Sequence, residues 1–273
     1  LAYLQVFRCN FIEQMKYNES VRLLSASRIN KYKSACGGDK AKTIQLYQYN
    51  IKLCQRFYGI MSMFEIMLRN LINEHYLTQF QDANWIINQA TVGKLLEHDI
   101  NDIHKYEREY RAKGVYSHDK MVASFHFGFW TSLFTKRNYR IGNKTLLRIF
   151  PNKAHGLNQK DIYEQLTTIR EFRNRIAHYE PICFDVNRSI STVYARRLYG
   201  LIQTYVIYMG YNPYSVFQGI EKPESILAKI DKLQNPPSSK YNKKINEAPT
   251  VSNCRGLFCV CIRSSQREWQ MKF

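Results

Sequence analysis

Proline and glycine are scarce, at 7 and 12 among 273 residues. Strict apolar–polar alternation is rare too, so an all-β reading has little support. There is no glycine-rich phosphate loop, which argues against an NTPase. No carboxylate cluster of the metal-binding type stands out, which argues against a two-metal nuclease. No apolar run reaches membrane-spanning length. The longest, 125–134 and 198–209, both contain polar residues, so no membrane association is expected. The first residues, Leu1 to Phe7, lack the basic-apolar-small order of a secretory signal. The chain starts with Leu, which leaves an upstream start or processing open. Seven cysteines in so long a chain do not make a disulfide scaffold. Cys9, Cys36, Cys54 and Cys183 stand singly and are read as free thiols of a reducing cytoplasm. Cys254, Cys259 and Cys261 lack a fourth ligand nearby, so no zinc site is expected.

Acidic residues are the other shortage. Against 40 Lys+Arg stand 22 Asp+Glu, a formal charge of +18. Such an excess favours a polyanionic partner, nucleic acid or an acidic membrane surface. A generally basic protein with no such partner is the plainer alternative. Hydrophobic content of 45% is enough for one large or two small cores. The 20 Tyr and 15 Phe fall mostly on helical stripes, so they read as core rather than as base-stacking platforms.

Helical periodicity dominates. Residues 11–33 form a first helical region, interrupted at Ser25 and Ser27. A turn at 36–39 precedes a long helix reaching about His75. Its stripe is Leu46, Tyr49, Leu53, Phe57, Ile60, Phe64, Met67 and Leu71, at spacings of three and four. Residues 82–112 hold one or two helices anchored by Trp85, and 122–134 reads as one buried helix. A further helix starts near Asp161 and is ended by Pro181, and a final one covers about 189–209. From 222 the chain loses periodicity and gains Pro, Ser, Lys and Asn. The expected organisation is therefore a helical domain over 1–221 and a basic, disordered linker and tail over 222–273.

The helix ending at Pro181 carries Arg173-Asn174-Arg175-Ile176-Ala177-His178. A histidine moves protons near neutral pH, and an arginine clamps a phosphate through two parallel hydrogen bonds. Ile162, Leu166, Ile169, Phe172 and Ile176 form the buried stripe, and Arg173 falls within it. A guanidinium in that position needs a partner. Two arrangements are open: Glu65 reaches Arg173 across the bundle, or Glu65 pairs with Arg69 along its own helix. Asn174 and His178 share another face with Arg170. Arg173 and His178 differ by about 140° around the helix and ~7.5 Å along it. Two copies around a twofold axis would bring both groups to one cleft, which points to a homodimer. The spacing alone is unspecific: Arg69–His75, Arg111–His118 and Arg148–His155 repeat it.

The longer run Ile169–Ile182 resembles the Arg-Asn-Arg-Ile-Ala-His signature of Abi-like abortive-infection proteins of the AbiD/AbiF type, within the HEPN superfamily of helical RNases. Other blocks resemble the same family in order. They are Ser27-Arg28-Ile29 with Tyr32, Gly38-Asp39, Leu46-Tyr47, Asn50, Phe64-Glu65-Ile66, Leu68-Arg69-Asn70, Trp85, Val122-Ala123-Ser124 and 127–134. The family often has a second histidine where this chain has Tyr179, and the segment after about 225 resembles nothing known.

The resemblance implies an all-α, HEPN-like helical bundle with additional N-terminal and inserted helices. It implies a metal-independent endoribonuclease of a phage-defence or toxin–antitoxin system, with no cofactor. The RNA 2′-OH would attack its adjacent phosphorus, with His178 as acid or base and Arg173 stabilising the transition state. Asn174 would orient the phosphate or the histidine. Glu65, Arg69, Asn70, Arg170 and Arg175 would brace the site or contact RNA. Products would end in 2′,3′-cyclic phosphate, and an antitoxin RNA or protein would restrain the activity. The competing reading is a non-catalytic RNA-binding module of a defence system, and a third is a protein-interaction scaffold.

Overall fold

A computed structural model describes residues 17–234. Among these, the regular elements are α-helices and short 3₁₀ turns, with one isolated antiparallel bridge between Phe184 and Ile190. The fold is all-α.

The chain opens with α1 (Tyr17–Leu24) and α2 (Ala26–Ala35). Ser25 separates them, at φ 71° with its hydroxyl accepting from the Arg28 amide. Gly37 and Gly38 then take positive φ, which non-glycine residues rarely adopt. Asp39 caps α3 (Lys40–Phe80), its carboxylate accepting from the Lys42 amide at 2.9 Å. At 41 residues this helix is the spine of the bundle. Leu46, Leu53, Phe57, Ile60 and Phe64 of the expected stripe are buried; Tyr49, Met67 and Leu71 pack at its margin. The helix runs past His75 because Tyr76 and Phe80 stack on each other and close over Trp85, with Tyr76 at 5.2 Å from Phe80 and 4.9 Å from Trp85.

Trp85 opens α4 (Trp85–Thr91), and α5 (Ile100–Ala112) follows. The single helix expected over 122–134 is two: α6 (His118–Ser124) and α7 (Phe127–Ser132). Phe125 is extended at ψ 137°, and His126 starts a new helix by accepting the Phe129 amide on Nδ1. The Phe125 ring still stacks on Phe129 at 4.0 Å, so the aromatic packing carries across the break.

After α8 (Lys136–Ile141) comes α9 (Gln159–Ala177), the motif helix. Asn158 and Asp161 form a reciprocal capping box at its start. α10 is Val193–Tyr208. Phe57 of α3 meets Phe172 of α9 edge-on at 4.9 Å. One turn on from Ile60, Phe64 meets Phe127 of α7 and Tyr205 of α10 at 6.0 and 6.2 Å. α7, α9 and α10 thus pack around the middle of α3.

The helical unit does not stop at 221. After the single turn α11 (Pro213–Val216), α12 (Glu224–Asp231) buries Ile226, Leu227 and Ile230. Arg56 of α3 ties this segment down by donating to the Lys222 carbonyl at 2.8 Å and pairing with Glu221 at 2.9 Å. The expected linker therefore begins as packed helix, and the compact unit extends to Leu233. The rest of the expected tail, with Cys254, Cys259 and Cys261, lies outside the described residues, as does Cys9. Among the described residues no helix is long and apolar enough to cross a membrane.

Candidate active site on the motif helix

α9 ends one turn earlier than Pro181 alone would dictate. Ala177 is its last residue and His178 its cap. Tyr179 adopts φ 55°, the Tyr179 amide donates to Ile176 O at 3.1 Å, and the Glu180 amide donates to Arg175 O at 2.8 Å. This is a Schellman turn with tyrosine where glycine is usual. A side chain in the left-handed region costs about 1–2 kcal/mol, so other contacts must hold the turn.

Three side chains do so. Arg28 of α2 donates to the Tyr179 carbonyl at 3.1 Å. Asn50 of α3 accepts the buried Ile182 amide at 2.9 Å. Arg175 donates to the Pro181 carbonyl at 2.5 Å and lies 5.3 Å from the Tyr194 ring centre. Arg175, expected among the RNA-contacting residues, is thus committed to the scaffold: its guanidinium faces the returning chain. Arg28 and Asn50 belong to the motif blocks, but their function in this turn was not foreseen.

Glu65 resolves the two arrangements open to it. It pairs with Arg173 across α3 and α9, Oε2 to Nε at 3.7 Å. Arg173 keeps 36% of its side chain exposed and Glu65 18%, so the pair stands at the mouth of the core rather than inside it. Arg69 is not Glu65's partner; its Nε is buried without a hydrogen-bond acceptor. Asn70 is exposed on the next position of α3.

Arg170, Asn174 and His178 stand at i, i+4 and i+8 on one flank of α9. Asn174 and His178 are exposed, Arg170 half-buried. Among the described residues none of the three side chains has a hydrogen bond or an ion pair. His126 was absent from the expected set. It lies beside Arg170, both within 4 Å of where a Cβ on Gly128 would stand. A glycine two residues after a histidine is the only sequence signal that could have suggested it.

The other chemically capable groups are occupied or muted. Burial pushes the Cys54 thiol up to about 11 and raises those of Cys36 and Cys183, which leaves three protonated, unreactive thiols. His75 and His118 are held below the usual imidazole range, first by burial. Among the described residues no three His, Cys, Asp or Glu side chains are arranged to hold a metal ion. Two clefts, of about 500 and 580 Å³, are lined by Lys52, Arg56 and Lys229 and by Glu74, His75 and Arg148 respectively. Neither is lined by a residue of the motif. Asn174 and His178 stand exposed on the motif flank, where a polymer laid along α9 could reach them.

In comparisons with known proteins, no family model, curated protein or solved structure matches the chain.

Proposed function

We propose that this protein is a metal-independent endoribonuclease of an abortive-infection or toxin–antitoxin type, acting in the cytoplasm. The fold would be a HEPN-like bundle in which α1, α2 and the α4–α6 region are additions. One observation carries the reading: the motif with Abi-like resemblance ends in an accessible His178 on a turn braced by Arg28, Asn50 and Arg175, with Arg173 paired to Glu65 alongside.

In this mechanism His178 takes the proton from the 2′-OH or delivers one to the departing 5′-oxygen. Arg173 stabilises the charge growing on the phosphoryl oxygens, with Glu65 holding its guanidinium in place. Asn174 orients the phosphate. Arg69, one turn on from Glu65 on α3, adds positive charge beside the pair. The bond from phosphorus to the 5′-oxygen breaks and a 2′,3′-cyclic phosphate forms, so DNA is not cut. A second copy of the chain completes the site. Arg173 and His178 lie on different sides of α9, and Met63 and Ile66, beside Glu65 on α3, are 36% and 41% exposed. An RNA or protein antitoxin would act by covering this flank.

The separation of Arg173 from His178 on one chain also favours a second reading, an RNA-binding module without catalysis. Replacing His178 with Ala separates the two. The variant keeps RNA binding and thermal stability and loses cleavage by about 10²–10⁴-fold. Wild-type protein that shifts RNA without cutting it, or a variant that cuts as well as wild type, overturns the enzymatic reading.

A further inference from the structure

His126 and Arg170 meet over a glycine. A Cβ at Gly128 would stand 2.9 Å from His126 Cε1, 3.0 Å from its Nδ1 and 3.7 Å from Arg170 Cδ. A larger residue there would displace the imidazole, so the glycine permits this approach. The ring's Nδ1 accepts the Phe129 amide at 3.2 Å, which leaves the proton of the neutral imidazole on Nε2. That Nε2–H has no acceptor among the described residues, and neither has the Arg170 guanidinium. The imidazole and the Arg170 side chain therefore stand side by side, His126 exposed and Arg170 half-buried, and a guanidinium is a planar fork suited to a phosphate's unbridged oxygens.

Arg170 and His178 are eight residues apart on the same flank, ~12 Å along the axis. A stacked strand advances about 3.4 Å per nucleotide, so this interval spans roughly three nucleotides, and fewer if the strand is extended. Asp99, the residue before α5, is the acidic neighbour of His126, and its charge opposes a strand crossing the start of α5.

We propose that His126 and Arg170 form a phosphate-binding subsite that grips the backbone of single-stranded RNA about three nucleotides from the bond facing His178. This rests on the ribonuclease reading for the position of the cut but not for binding itself. Since the subsite reads phosphate and not the 2′-OH, single-stranded DNA occupies it too. Arg170 contributes the charge and His126 a donor on Nε2.

The test uses the full chain and uncleavable 2′-O-methyl oligouridylates of about two and about eight nucleotides, followed by fluorescence anisotropy. His126→Ser retains an oxygen able to cap α7 while removing the ring and the reach of its Nε2 donor, and Arg170→Gln removes the charge. Wild type should bind the longer probe more tightly, and each variant should lose roughly tenfold or more on it with no loss on the shorter. Arg170→Gln should also lower the slope of log affinity against log salt by about 0.7, the share of one phosphate on a single strand. No length dependence in wild type, or either variant matching wild type on the longer probe, overturns the subsite. Wild type that binds with this pattern but cuts no RNA would sink the ribonuclease reading and leave the subsite standing.

Discussion

Two flanks of α9 carry similar residues and use them in opposite ways. On one, Arg175 bonds the Pro181 carbonyl and lies against Tyr194, while Arg28 and Asn50 reach in from α2 and α3 to fix the following turn. On the other, Arg170, Asn174 and His178 point away from the core with no internal partner among the described residues. Arg173, between them, is held by Glu65 yet remains about one-third exposed. The difference teaches that arginine count on a motif helix is a poor guide to ligand contacts. Satisfying a guanidinium with a backbone carbonyl makes it scaffold; leaving it free on a rigid helix makes it available to an anion.

The comparison can be broken at either flank. The largest effect is expected at the mouth of the site. Arg173→Ala should slow RNA cleavage by about 10²–10³-fold, the usual consequence of losing a donor to developing charge, while the melting temperature changes little. Activity retained by this variant would put Arg173 with Arg175 on the structural side. Next, Asn50→Ala leaves the buried Ile182 amide without its acceptor and should cost about 1–3 kcal/mol of stability in denaturant unfolding. A neutral result would mean the turn after α9 is held without Asn50.

A smaller effect should follow from pH. His75 Nε2 lies 2.9 Å from the Thr145 hydroxyl, and that hydroxyl donates to Gly142 O, so the ring donates from Nε2. His118 lies 2.7 Å from Asn73 Oδ1. Burial lowers both imidazoles, Arg148 adding to the effect at His75 while Asp119 and Asp82 oppose it at His118. With the folded value below the usual 6.5, the unfolded chain binds more protons in that range, so stability falls as pH drops below about 6.5. A melting temperature flat from pH 7.5 to 5.5 would contradict this. The smallest change is expected from Glu65→Gln, about 1 kcal/mol or less because the ion pair is part-exposed. Its cleavage rate should fall more than its stability, since Glu65 acts by positioning Arg173; equal falls would assign it a structural role alone.

How much of this was legible from the residues depends on range. The α3 stripe was readable because apolar spacing repeats over many turns. That Arg173 needs a partner was readable too, but spacing along one helix left Glu65–Arg173 and Glu65–Arg69 equally open, and only packing across α3 and α9 decides between them. The break at His126 was hidden: an aromatic run looks continuous whether or not a side chain caps a new helix inside it. The end of α9 was misjudged because tyrosine gives no hint of a left-handed turn. That conformation is supported from residues 151 and 132 positions away in the chain, beyond any local pattern. α12 was missed because Ile226, Leu227 and Ile230 make a stripe one turn long within a lysine- and proline-rich stretch.

The most direct measurement is to incubate purified protein with total RNA in EDTA and determine the chemistry of the cut ends. The expected result is new RNA ends carrying 2′,3′-cyclic phosphate, with single-stranded DNA left whole. Intact RNA, or fragments ending in a free 3′-hydroxyl, would contradict a site built on His178 and Arg173.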